Sequence, residues 1–157
     1  MKRQLNIITI LFLLTSPLWS QDINTSDSLE IRRKVEIVFE SFENPDFTKF
    51  KKISTEKIYC IICFSEPDFR NEPYMLGRKD FFKDHLEEIN KSESFIRAKK
   101  SKEIILVQEN NSRSDITAFI TTWEKNEFAV GHEGAQLGIY FKKIKGEFKF
   151  SGIETIP

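Results

Sequence analysis

The residues best able to do chemistry in this chain are two cysteines, two histidines, three tyrosines and two tryptophans. Cys60 and Cys63 sit in KIYCIICF, residues 57–64. A redox centre of the thioredoxin kind sets its first cysteine at a helix N-terminus, where the dipole and free amides stabilise a thiolate. Here both cysteines lie between isoleucines, in a run that reads as a strand buried on both faces. Side chains three apart in a strand point to opposite faces, so on this reading the two thiols cannot bridge and pack as small core residues. In a helix they would share a face, and the expectation therefore depends on the strand. A structural zinc site would need Cys60, Cys63, His85 and His132 together, and opposite-facing cysteines defeat tetrahedral closure. No metal site is expected.

His85 falls on the apolar face of a predicted helix with Phe81, Phe82 and Leu86, where imidazole is either a satisfied core-edge group or a base. His132 and Glu133 lie in AVGHEGA between two predicted strands. A strand-connecting loop at a cavity mouth would present them as acid and base, with the carboxylate orienting the imidazole, whereas an exposed turn would leave them without a role. His85 and His132 are thus the catalytic candidates. Tyr59, Trp123 and Tyr140, among fifteen phenylalanines, are the candidates for lining an apolar ligand cavity, against the alternative of ordinary core filling. Asp115 opens a strand with nothing beside it to make it a buried base. The chain has no Gly-x-Ser-x-Gly elbow and no phosphate-binding glycine loop, and no cofactor is implied.

The elements that must position these groups follow from periodicity. Asp27 and Glu30 have capping-box spacing ahead of Ile31, Val35, Val38, Phe39 and Phe42, which predicts a helix over 28–43. Asn44 as cap and Pro45 in the first turn predict a second helix carrying Phe47, Phe50 and Ile53. The strand around 57–64 comes next, then a loop in SEPDFRNEPYMLG and a third helix over 78–90. ESFIRAKK and KEIILVQE read as one long bent strand or two shorter ones, and DITAFITTWE alternates as another. GAQLGIYFKKI and EFKFSGIETI flank Lys145–Gly146, a tight hairpin turn. Gly152 breaks the alternation of the last strand, which predicts a bulge.

The N-terminus reads as a secretory leader: Lys2 and Arg3, the apolar run Ile7 to Leu14, then TSPLWSQD, with cleavage expected after Ser20. The run is too short to span a bilayer, which takes about 20 residues, so no membrane anchor is expected after cleavage. Residues 21–157 then form one domain, exported to the periplasm or beyond the cell. Its 24 acidic residues and the basic residues left after losing Lys2 and Arg3 give a net charge of −2, which offers no electrostatic case for nucleic acid.

Helix, helix, strand, loop, helix, then antiparallel strands to the C-terminus resembles the nuclear transport factor 2-like, or cystatin-like, α+β cone superfamily. The resemblance is carried by VEIVFESFENPDFTKFKKI, KIYCIICF, LGRKDFFKDHL and AQLGIYFKKIKGEFKFSGIETI. It implies an α+β fold in which a curved, mostly antiparallel sheet wraps around the N-terminal helices and leaves an apolar pocket open at one end. The superfamily includes isomerases, dehydratases, polyketide cyclases and binding or dimerisation modules, so the fold alone fixes no reaction. Relatives with activity use a carboxylate or a His–Asp base inside the cone, and no such motif can be matched here. The expectation is an exported domain that binds a small apolar molecule or forms a homodimer through its sheet. The alternative is a small acid–base enzyme using His132 or His85 with Tyr59 or Tyr140.

Overall fold

The computed structural model describes residues 23–64 and 74–157. The expected leader and most of the loop after Phe64 lie outside them. No helix among the described residues is long and apolar enough to cross a membrane.

Helix α1 spans Thr25–Glu43 and buries Ile31, Val35, Val38, Phe39 and Phe42 on one face. Its start differs from the expected capping box: Asn24 is the cap, its side-chain oxygen accepting the Asp27 N–H at 2.8 Å. Helix α2, Phe47–Ile53, is capped two residues later than expected, by Asp46 and not Asn44: the Asp46 carboxylate accepts the amides of Thr48 and Lys49. At its other end Arg78 donates to the carbonyls of Lys51 and Ser54, at 3.1 and 3.0 Å, satisfying groups that a helix terminus leaves open.

Strand β1 covers Ser54–Cys60 and ends there, because Ile61–Cys63 close a single 3₁₀ turn. This corrects the reading of 57–64 as a continuous strand. A short β2, Met75–Gly77, leads into α3 (Arg78–Asp80), a π-helical turn (Phe81–His85) and α4 (Leu86–Lys91), which occupy the predicted third helix. A second correction follows: ESFIRAKK is not a strand but helix α5, Glu93–Lys100. The Ser92 hydroxyl caps it by accepting the Phe95 N–H at 3.3 Å, and Phe95 and Ala98 are buried one turn apart.

Strands β3 (Ile104–Gln108), β4 (Ile116–Trp123), β5 (Ala135–Ile144) and β6 (Glu147–Ile156) complete a six-stranded sheet in the order β2-β1-β6-β5-β4-β3. The sheet is curved and open, with every pairing antiparallel except β1 on β6. The β5–β6 hairpin turns at Lys145 and Gly146, both at positive φ, as a tight turn matched to strand twist requires. The expected bulge is present: Tyr140 faces Gly152 while Phe141 faces Phe150, so Ser151 is the extra residue. Gly152 also marks a close approach, since a Cβ there would lie 2.7 Å from the Tyr59 Cβ and backbone oxygen.

One face of the sheet meets the helices. Ile58 and Cys60, Phe150 and Ile153, Leu137, Ile139 and Phe141, and Ile116, Ala118 and Ile120 all belong to one buried core. Phenylalanines fill the space between. Phe42 stacks on Phe95 at 5.1 Å and meets Phe50, Phe81 and Phe150 at 5.8 to 6.2 Å between ring centres. These rings fill the space between the sheet and the helices, and a concave space lies at the end of the sheet.

Candidate functional site

The antiparallel order of β4, β5 and β6 brings the last residues of β4, the first of β5 and the last of β6 to one end of the sheet. There a cleft of about 310 Å³ opens between Thr122 and Trp123, Ala135 and Gln136, Thr155 and Ile156, the first turn of α5 at Ser94, and Phe128 and His132 of the connecting loop. The pairing of β4 with β5 shifts register between Thr121 and Trp123. The extra residue turns Thr122 and Trp123 both towards the cleft instead of to alternate faces.

Arg97 of α5 holds this corner. Its guanidinium lies 4.9 Å from the centre of the Trp123 ring, its Nε donates to the Thr122 carbonyl, Nη2 pairs with Glu127, and Nη1 lies 3.7 Å from the Glu93 carboxylate. The Glu124 N–H and Arg97 together hold the Glu127 carboxyl below the usual carboxylate range. The loop is tied to itself as well. Asn126 N–H donates to the His132 carbonyl at 2.8 Å, Gly131 N–H to the Asn126 side chain at 2.8 Å, and His132 N–H to the Ala129 carbonyl at 3.0 Å. These bonds set the Phe128 ring 5.4 Å from the imidazole and 6.5 Å, edge-on, from the indole. Phe128 nevertheless remains 70 % exposed, an apolar ring at the rim with one side open.

The cleft therefore unites Trp123 and His132 and excludes the other candidates. Tyr59 and Tyr140 lie on the opposite face of the sheet, in a row that runs from Thr117 through Tyr140 and Gly152 to Tyr59. Their rings touch at 5.4 Å, Tyr140 donates to the Glu154 carboxylate, and the Arg113 guanidinium covers Tyr59 at 4.7 Å. Burial, aided by Glu154, raises the pKa of both phenols, so they stay protonated and act as donors. Both are buried, at 4 % exposure each, and neither belongs to the lining of the end-of-sheet cleft. His85 closes the π-helical turn, half-buried, and is not among the residues that line the cleft.

The expected His132–Glu133 pair is not assembled. The Glu133 carboxylate bonds to Lys125 at 2.9 Å, and the imidazole Nδ1 instead accepts the Gly134 N–H at 3.0 Å. Among the described residues that line the cleft there is no side-chain carboxylate, tyrosine or thiol. Among the described residues no group of three or more His, Cys, Asp or Glu is placed to hold a metal ion.

The cysteines call for the third correction. Cys60 and Cys63 form a disulfide, with Cα atoms 5.4 Å apart. The 3₁₀ turn is the reason: it brings residues three apart to the same side, within the span a disulfide needs. Sequence reasoning also missed Thr122 and Phe128. Thr122 becomes a cleft residue only through the register shift, and Phe128 stood out solely as an apolar residue in a polar loop.

No family model matches the chain, and no curated protein matches it. Among solved structures it is similar to a chain named Rd1NTF2_05 with five point substitutions, at 12 % identity and a TM-score of 0.43, over 85 % of this chain and 100 % of that one.

Proposed function

We propose that this protein is an exported binding domain whose end-of-sheet cleft takes a small, largely apolar molecule. The observation that carries the reading is the cleft itself: about 310 Å³, walled by Trp123 and Phe128, with a few polar groups from Thr122, His132 and Gln136. Small-molecule sites have this composition and begin at about 300 Å³. An indole held by Arg97 and a loop closed by its own hydrogen bonds are organised before any ligand arrives, which reduces the ordering cost of binding. Export is supported by the leader-like start and by the Cys60–Cys63 disulfide, a bond that persists in oxidising compartments. The acid–base alternative would need a proton acceptor with an orienting partner, and His132 here has a backbone amide where that partner would be.

The test is native mass spectrometry of the protein purified from an exporting host, compared with Trp123→Ala. A small molecule retained one-to-one by the wild type and lost by the variant, with unchanged circular dichroism, is the expected result. Equal retention by both would remove the cleft from the binding site.

A further inference from the structure

We propose that the cleft selects a flat, uncharged aromatic molecule bearing a hydrogen-bond acceptor, a carbonyl being the simplest, and that His132 is the residue that selects it. The inference rests on the cleft being a binding site, as argued above.

It starts from the tautomer of the imidazole. Nδ1 accepts the Gly134 N–H, and a ring nitrogen that accepts carries no proton. The neutral ring must therefore carry its proton on Nε2. A carboxylate at Nδ1 would impose the opposite tautomer and make Nε2 a base, whereas the backbone amide makes Nε2–H a fixed donor. Nε2 lies on the ring edge away from Gly134, and no described residue accepts from it. Thr122 adds a second unsatisfied group in the same lining, since its buried hydroxyl has no hydrogen-bond partner. A fixed Nε2–H donor and a partnerless threonine hydroxyl, in a lining shared with the Trp123 and Phe128 rings, describe the complement of an aromatic molecule with an acceptor on its edge.

The charges around the cleft argue that the ligand is neutral. A cation would meet the Arg97 guanidinium, already seated over the indole. An anion would meet Glu127 at the same corner, with Glu124 and Glu133 on the same loop opposed by Lys125. A neutral acceptor pays neither penalty, and a ligand without one leaves the Nε2–H unpaired, which is how a polar site rejects an apolar isostere.

The experiment uses acetophenone and isopropylbenzene, which match in shape and differ in the carbonyl, titrated into the exported protein and into His132→Phe, His132→Gln and His132→Asn. His132→Phe should weaken acetophenone about tenfold and isopropylbenzene less than about twofold, the scale of one neutral hydrogen bond. His132→Gln, whose amide reaches the Nε2 position, should restore part of the acetophenone affinity, and His132→Asn should not. Nitrogen NMR of the neutral imidazole should show the Nε2–H tautomer, with that proton shifted by acetophenone alone. Equal weakening of both probes by His132→Phe, or an Nδ1–H tautomer, overturns selection by His132 and leaves the cleft reading standing. If neither probe binds the wild type, the cleft reading falls and this inference falls with it.

Discussion

At the scale of single residues, a strongly perturbed carboxylate lies outside the cleft lining, beside the β5–β6 turn. Glu147 pairs with Lys149 at 2.6 Å and with Lys34 at 2.7 Å, and Lys34 is itself buried on α1. These bonds pull the Glu147 carboxyl from 4.5 down to about 2. A carboxyl whose pKa is lowered by folding stabilises the fold fully above its ordinary value and loses that contribution as the pH falls towards its folded value. Because the glutamate is half exposed, solvent screens the pair and the contribution is modest. Glu147→Gln should lower the thermal midpoint at neutral pH, and the gap from wild type should narrow as the pH falls below about 4.5 and close only below about 2. A gap that is constant with pH would show that the ionised pair contributes nothing. The same scale shows what sequence could reveal of the site. Trp123 and His132 were legible because their chemistry is conspicuous in a strand end and a loop. The Gly134 amide that decides what His132 can do was not, since a bond from a backbone N–H leaves no mark on residue type.

At the scale of elements, the strand ends are where pattern misleads. Ile58 to Phe64 alternate as a strand should, and only tertiary context stops β1 at Cys60 and turns the next residues into 3₁₀. The disulfide is the product of that turn. Closing only four residues, it removes little unfolded-state entropy, about 2 kcal/mol by the loop-closure relation. Replacing both cysteines by alanine should therefore lower the thermal midpoint by roughly 5 to 10 °C without abolishing the fold. Failure to fold at all would assign the bridge a far larger role. Cys60 is wholly buried, so a thiolate released there would lie in the core, which suits a structural bond better than a redox couple. Helix α5, by contrast, carried a legible signal in its Ser92 cap, its early Glu93 and its late Arg97, Lys99 and Lys100. Isolated β-branched and aromatic residues in ESFIRAKK drew the reading towards a strand, although Phe95 and Ala98 sit one helical turn apart.

At the scale of the whole molecule, helices on one face of a curved, mostly antiparallel sheet were legible because long periodic runs are hard to mistake. Where the cavity would lie was not legible. Fifteen phenylalanines are compatible with a hollow cone or a solid one, and only packing decides. Here Phe42 is the hub of the filled interior, touching four other rings. Phe42→Ala should cost about 3 to 5 kcal/mol in urea unfolding, much of the stability of a domain this size, whereas Phe128→Ala should cost under about 0.5 kcal/mol. Comparable losses from the two variants would contradict a core held by the aromatic hub.

The central claim is that the end-of-sheet cleft is the binding site. Its most direct test is a protein-observed NMR titration with indole, acetophenone and isopropylbenzene, following backbone amides and the Trp123 indole N–H together. The account predicts saturating shifts centred on Trp123, Gly131, Gly134 and Gln136. Shifts centred instead on Tyr59 and Tyr140, or none up to the solubility of all three probes, would contradict it.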